Sequence, residues 1–349
     1  MMNIHFATDE ELLRWDDLLA ANPDGGNVFS TCEMAETKRL NGWRARFLVA
    51  DTLAITILEK SLPLLGTYWY LPKGPGVTSA EALTTLLPEL QRFGEDNDVF
   101  CIKIEPEIHD SSEATAALRP LNLIHTRPVQ PNVSTIILDL APSIEEIMAG
   151  LNQKGRHAIH RAERDGVTTH AVEVNDDNAH IMYDLLIKTA EGRFETSVRS
   201  YEYYKTFWKA FASSGKGSLF FAYFEGRIVA GAFCMYVGHK GLYKDGASVR
   251  DRTVYGASHL LQWEVIKWMK DRGVTSYDLC GAPHSTAMND KSGSFYGIGR
   301  FKSSFNKQVT DYIGCYDLPI NLTSYKIWHR IGERIALSLS WRLKHTQWF

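Results

Sequence analysis

The sequence predicts a mixed α/β (α+β) protein built as two domains, and three observations carry that prediction. The 349 residues, 44% of them apolar, are enough for two cores of ordinary size. Amphipathic helical stretches alternate with short β-rich ones in both halves, the pattern of helices layered on sheets. Ala141-Pro142-Ser143 then opens a new helix near the middle, which divides the chain into a first domain over 1–142 and a second over 143–316. No GxGxxG fingerprint follows a strand, so a mixed sheet is expected and not a doubly wound parallel one.

The same composition narrows the function. Met1 to Trp15 carries Asp9, Glu10 and Glu11 with no basic lead-in, unlike a secretory signal. The longest apolar run, Phe47 to Leu58, is broken by Asp51 and too short for a membrane span, so a cytoplasmic protein is expected. Five scattered cysteines without a CxxC pair argue against a disulfide framework or a zinc site and for buried, reduced thiols. The net charge of -3 hides a basic end, with nine Lys or Arg against three Asp or Glu from Lys291 to Phe349. Either a polyanionic partner or a solvated basic helix accounts for it.

Taken in order, the chain opens with a short strand and an acidic helix whose Thr8-Asp9-Glu10-Glu11 start is a capping box. Asn22-Pro23-Asp24-Gly25-Gly26 ends that helix, and a second helix from about Cys32 to Asn41 carries Lys38. Arg44 to Leu58 alternates as a β-hairpin with its turn near Asp51. The aromatic strand Tyr68-Trp69-Tyr70-Leu71 runs into Pro72-Lys73-Gly74-Pro75-Gly76, a tight turn where amides and a lysine could meet a phosphate or simply face solvent. A helix over Ser79 to Asn97 leads to the apolar strand Val99 to Ile104, which ends at Glu105-Pro106. One more strand is expected over Pro131 to Leu140.

The second half begins with a helix from Ile144 that continues through the basic stretch Lys154 to Arg164 and stops at Asp165-Gly166. His157 and His160 lie three apart, with no third metal ligand in view. A short strand near Val172, helices over Asp176 to Glu191 and Tyr201 to Ser213, and strands at Gly217 to Tyr223, Ile228 to Val237 and from Leu242 follow. A helix from about Tyr255 to Arg272 buries Leu261, Val265, Trp268 and Met269 on one face. Tyr277-Asp278-Leu279-Cys280-Gly281 is the next strand, and 282–299 reads as an aperiodic, glycine-containing loop over a site. Arg300-Phe301-Lys302-Ser303-Ser304-Phe305 then precedes a strand over Val309 to Tyr316. A final helix from about Leu322 to Leu343 carries the apolar stripe Ile327, Trp328, Ile331, Ile335 and Leu339, with Lys326, Arg330, Arg334 and Arg342 outside it.

Two helices, an antiparallel meander, a long helix and a strand form the order of an N-acetyltransferase-like (GNAT) domain, and the first half is compatible with a divergent copy. A GNAT enzyme holds the coenzyme A pyrophosphate on a Q/R-x-x-G-x-G/A loop at the N-terminus of that long helix. Here 250–257 offers one glycine, Gly256, preceded by a bulky Tyr255, so coenzyme A binding there is not expected.

Several ordered segments together resemble the Fem family (FemA, FemB, FemX) of peptidyltransferases, which add amino acids from aminoacyl-tRNA to the peptidoglycan stem peptide. These are Lys73-Gly74-Pro75, Lys103-Ile104-Glu105-Pro106, Arg156/Ile159/Ala162 in the basic helix, Tyr243-Lys244-Asp245-Gly246-Ala247-Ser248, Leu261-Gln262-Trp263, Tyr277 to Gly281, and Phe301 to Phe305. The resemblance implies two tandem GNAT-like domains with the C-terminal helix, 317–349, packing back on the first. The coiled-coil arm of some members is missing, since 171–219 has room for two short helices only, as in the compact FemX type.

The resemblance also implies site residues. Lys302 matches the lysine near the aminoacyl-tRNA end and Glu105 an acidic residue near the reacting groups. Lys38, Arg193 and Tyr243 match positions around the nucleotide-sugar peptide, in a cleft of the first domain and the domain interface, with Lys73, Tyr255 and Phe301 as further contacts. Thr78 stands where an acidic residue often follows the Lys-Gly-Pro turn. No cofactor is implied. The partners implied are aminoacyl-tRNA and a peptidoglycan precursor, either UDP-MurNAc-pentapeptide or lipid II, with peripheral contact at the inner face of the plasma membrane; stable DNA binding is not expected. The implied reaction is aminolysis of an ester, in which a positioned ammonium flanked by two phenylalanines stabilises the oxyanion. A coenzyme A-dependent acyltransferase of the same fold and a non-catalytic precursor or nucleic-acid binder are the competing expectations.

Overall fold

The computed structural model describes residues 2–191, 198–249, 254–344 and 347–349. It divides into one unit of Met1–Val133 with Asp311–Phe349 and a second of Ser134–Thr310. These divisions precede the expected ones at 142 and 316, because strand pairing overrides the helix signal. Ile137–Asp139 is hydrogen-bonded to Ser276–Asp278 in the second sheet, and Cys315–Pro319 to Val99–Ile104 in the first.

In the first unit seven strands stand in the order Ile4–Phe6, Arg44–Ala50, Leu53–Leu62, Gly66–Leu71, Val99–Ile104, Cys315–Pro319, Ile124–Thr126. All neighbours are antiparallel except Gly66–Leu71 with Val99–Ile104, which are joined by the helix Ala80–Glu95. In the second unit six strands stand in the order Ile137–Asp139, Ser276–Asp278, Lys240–Ser248, Arg227–Val237, Gly217–Phe224, Thr168–Val172. Again one pair is parallel, Lys240–Ser248 with Ser276–Asp278, joined by the helix Ala257–Lys270. Each unit is thus a GNAT-like mixed sheet, a meander followed by a helical crossover into a parallel strand. Ten residues, 191–200, separate Asp176–Ala190 from Tyr201–Ser213, too few for a coiled-coil arm.

Local signals hold at most elements. Thr8 and Glu11 form the capping box, and Asp51 adopts a left-handed turn between Arg44–Ala50 and Leu53–Leu62. Three expectations fail for reasons of packing. The long basic helix is two helices, Ile144–Gly150 and Gln153–Arg164, because Leu151 is extended and Asn152 caps the second through the Lys154 amide. The stretch 282–299 is not all loop: it holds a short 3-10 turn, Ser285–Ala287, and starts the helix Tyr296–Lys302, which Lys302 ends. The C-terminal stripe splits: Trp328 is buried, while Ile327, Ile331, Ile335 and Leu339 are exposed. The five-residue π-helix Trp328–Gly332 lies between the helices Leu322–Ile327 and Glu333–Lys344 and shifts the phase of the faces. Among the described residues no helix is long and apolar enough to cross a membrane.

Candidate functional site

Each sheet opens where its one parallel pair of strands parts. In the second unit the parallel pairing ends at Leu242 opposite Asp278, after which the two strands part. Tyr243 and Lys244 follow on one side, and Leu279, Cys280 and Gly281 on the other. The gap at such a fork exposes backbone groups that the ladder no longer uses, which is why ligands collect there in open sheets.

Lys302 fills this fork from the side. Its Nζ donates to the carbonyls of Cys280 at 2.9 Å and Gly281 at 2.7 Å and lies 5.8 Å from the centre of the Tyr243 ring. Two of the three N–H bonds of the ammonium are therefore anchored, leaving one to turn on a ligand. The side chain is 7% exposed, and burial pushes its pKa below the ordinary lysine value, with Cys280 and Asp278 pulling it back up. Cys280 adopts a left-handed backbone, φ 63°, held by its amide donating to Asp278 Oδ1 at 2.5 Å. Thr135 Oγ1 donates to the same carboxylate oxygen. The turn that presents the two carbonyls is thus rigidly tied.

Tyr243 is fixed from below. Its hydroxyl lies directly over Gly246, where an added Cβ would come within 1.5 Å of it. The register slips between Phe233 and Cys234, pairing them with Asp245 and Tyr243 and leaving Lys244 as the extra residue of a bulge. Lys244 Nζ then reaches Asp245 Oδ1 at 3.2 Å, while Trp208 Nε1 donates to Asp245 Oδ2 at 2.9 Å. Tyr277 donates to Gln262 Oε1 at 2.7 Å and meets Cys234 Sγ at 3.3 Å. Gln262 and Asp278 were not among the expected site residues. The signal for both was present: a buried amide on the apolar face of a helix, and a carboxylate at the end of an apolar strand.

The flanking phenylalanines behave otherwise than expected. Phe301 and Phe305 close on His259, with ring centres 4.9 and 5.7 Å from it, so neighbours in sequence do not sandwich Lys302. The Cys280–Gly281 turn and the Tyr243 ring are what surround the ammonium. Burial lowers the His259 pKa to about 4. Tyr255 is exposed at the start of the helix Ala257–Lys270, its ring 6.5 Å from His157 and 4.8 Å from the Arg161 guanidinium. That helix start is closed: a Cβ on Gly256 would stand 2.2 Å from the Ala158 carbonyl oxygen of Gln153–Arg164. Backbone of a neighbouring helix thus crowds the position where a pyrophosphate loop would need to be bare.

The first unit shows the corresponding fork. Its parallel pairing ends at Leu71 opposite Ile104, and the Glu105 amide then donates to the Gly74 carbonyl at 3.1 Å. Lys73 takes a left-handed backbone, φ 52°, and its buried Nζ donates to the Asn132 carbonyl at 3.3 Å. It also faces Glu107 Oε1 at 3.8 Å and the Tyr312 ring at 4.9 Å, while Asn27 donates to Glu107 at 2.9 Å. Glu105 is saturated on three sides. The Val129 and Gln130 amides donate to Oε1 at 2.6 and 3.1 Å, and Tyr70 donates to Oε2 at 2.5 Å. A carboxylate so engaged ties Tyr70 to the loop around 129–130 and fixes the end of the strand Val99–Ile104. Lys38 is buried at the end of the helix Cys32–Lys38. Arg193 lies outside the described residues.

Comparison with known proteins adds to this geometry. Residues 15–119 match the model of the FemAB family and residues 152–292 that of the acetyltransferase (GNAT) domain. The chain is 21% identical over 431 aligned positions to the lipid II:glycine glycyltransferase of Staphylococcus aureus (strain MRSA252), covering 99% of this chain and 100% of that protein. It is 22% identical over 411 positions to the protein of the same name from Staphylococcus epidermidis (strain ATCC 12228 / FDA PCI 1200), covering 94% and 97%. The crystal structure of FemX superposes with a TM-score of 0.78 over 93% of this chain and 99% of that one, at 20% identity, a likeness of fold.

Proposed function

We propose a function from the premise that the chain belongs to the Fem family and is a transferase: it moves an aminoacyl group onto an amine of a peptidoglycan precursor in building the interpeptide bridge. The donor in this reading is aminoacyl-tRNA, and the acceptor is a primary amine of the stem peptide. The observation that carries it is the buried Lys302 ammonium at the sheet fork, with two N–H bonds anchored and one left over.

The acceptor nitrogen attacks the ester carbonyl carbon, a C–N bond forms, and the carbonyl oxygen becomes an oxyanion. Lys302 donates its remaining N–H to that oxygen or to the departing ribose oxygen. Collapse breaks the C–O bond, and the proton lost by the amine ends on the departing ribose oxygen, which leaves as a free hydroxyl of the tRNA. Because an ester is already activated, orientation and charge stabilisation supply most of the barrier reduction, and no general base is required. Tyr243, locked over Gly246, forms the wall against which the acceptor packs. Lys73, at the corresponding fork of the first unit, offers a cation suited to the precursor's anionic groups, and Glu105 holds the loop around 129–130 in place.

The test is mass spectrometry of UDP-MurNAc-pentapeptide and of lipid II after incubation with the protein and a charged tRNA pool. One aminoacyl increment on either, dependent on charging, is the expected result. No increment on either precursor overturns the proposal.

A further inference from the structure

The C-terminal helical segment presents an outward apolar face that its own unit does not cover. Ile331 is 57% and Ile335 53% exposed, and Ile327 and Leu339 continue the row one turn to each side. Ile331, Ile335 and Leu339 border one hollow and so share one side of the segment, with Ile327 exposed before the π-helix. Leu64, at the tip between Leu53–Leu62 and Gly66–Leu71, is fully exposed with a left-handed backbone. The two elements are continuous, since one groove is lined by Leu62, Pro63 and Leu65 from the hairpin and by Ile335 and Leu339 from the helix.

Charge marks the same face. Arg330 and Arg334 border one hollow with Ile331, Ile335 and Leu339. Lys326 and Arg342 are exposed nearby, and Glu333 is the only acidic residue from Leu322 to Lys344. A solvated basic helix explains the arginines but not four aliphatic side chains held in water. An RNA-binding face explains the cations, yet RNA is met by cations and aromatic rings and not by isoleucine. Aliphatic residues edged by arginines fit one environment best, the boundary between anionic headgroups and acyl chains, with the helix lying in the plane of the surface.

We propose that Leu322–Lys344, with the apolar hairpin tip at 62–65, docks this protein on an anionic bilayer surface. Ile327, Ile331, Ile335, Leu339 and Leu64 enter the headgroup region while Arg330, Arg334 and Lys326 engage lipid phosphates. This places the protein on the membrane and not across it. The proposal is independent of the transfer reaction, because the surface shares no residue with the Lys302 fork and its assay contains no substrate.

The experiment is flotation of the full chain with vesicles of phosphatidylglycerol and phosphatidylcholine, compared with pure phosphatidylcholine, at low and high salt. Two double variants accompany the wild type, Ile331→Asp with Ile335→Asp and Arg330→Glu with Arg334→Glu. All four sites are exposed, and thermal melts check the fold. The wild type should float with the anionic vesicles and far less with neutral ones, and salt should weaken the binding by screening. Each double variant should lower the partition coefficient by about tenfold or more. Failure of the wild type to float, or floating of both variants like the wild type, overturns the proposal. So does binding to uncharged tRNA that the arginine pair abolishes and the isoleucine pair does not. A concentration-dependent dimer, seen by light scattering and abolished by the isoleucine pair, would reassign the face to a second copy and also overturn it.

Discussion

Replacing Lys302 by Met removes the ammonium while keeping an unbranched side chain of similar length. The wild-type ammonium is anchored at 2.9 and 2.7 Å to two carbonyls, so it needs no reorganisation when charge develops in front of it. An ammonium about 4 Å from a developing oxyanion gains about 4 kcal/mol at an effective dielectric constant of about 20. Loss of a comparable preorganised donor lowers turnover by about 100- to 1000-fold. Stability should change much less, because two effects oppose each other. The variant leaves the Cys280 and Gly281 carbonyls without this donor, at about 1–3 kcal/mol each. It also removes a buried charge that disfavours the fold. The lysine pKa is lowered in the folded state, so at neutral pH its burial is a standing penalty, relieved only as pH rises through the folded-state value. The assay is single-turnover transfer from charged tRNA, read beside a thermal melt. The wild-type rate should also decline on the alkaline side, below the usual lysine range, and the Met variant should lack that limb. A folded Met variant turning over within about threefold of wild type would refute the oxyanion role.

Three further outcomes follow from the same geometry. Gly246→Ala puts a Cβ within 1.5 Å of the Tyr243 hydroxyl, so the ring must move, stability should fall by about 1–3 kcal/mol, and transfer should be impaired beyond what the melt explains; an unchanged crystal position of Tyr243 in that variant would contradict this. His259, held near a pKa of about 4 by burial, favours folding fully above about pH 6.5 and loses that contribution as pH falls toward 4. Wild-type stability should therefore drop by up to about 3 kcal/mol across that window, and His259→Leu should flatten the dependence in urea titrations. Glu105→Gln replaces an acceptor oxygen by an amide that cannot accept from all of Val129, Gln130 and Tyr70, so stability should fall by about 1–3 kcal/mol. A variant of full stability with a changed pH profile of transfer would instead assign Glu105 a proton-transfer role.

Much of the architecture was written in the order of residues. Hydrophobic period, capping boxes and glycine or proline punctuation gave the two mixed sheets and the helices between them, since these depend on neighbours a few positions apart. The family resemblance singled out Lys302, Tyr243, Lys73 and Glu105, and the structure places each at or beside the end of a parallel strand pair or the turn that follows it. Their surroundings were not legible in the sequence. Phe301 and Phe305 adjoin Lys302 in sequence but pack on His259, and the three donors that close on Glu105 come from Tyr70, Val129 and Gln130, far from it in the chain. The end of the chain shows the same division. A four-residue apolar period fixed the helix and its stripe, but a period alone says only that one face is apolar, and not whether protein covers it. The π-helix Trp328–Gly332 turned Trp328 inward and left Ile331 and Ile335 in solvent. Local periodicity determined the elements; the forks in the sheets, the hydrogen bonds that close on each charge, and the face left uncovered are long-range facts that only the tertiary structure decided.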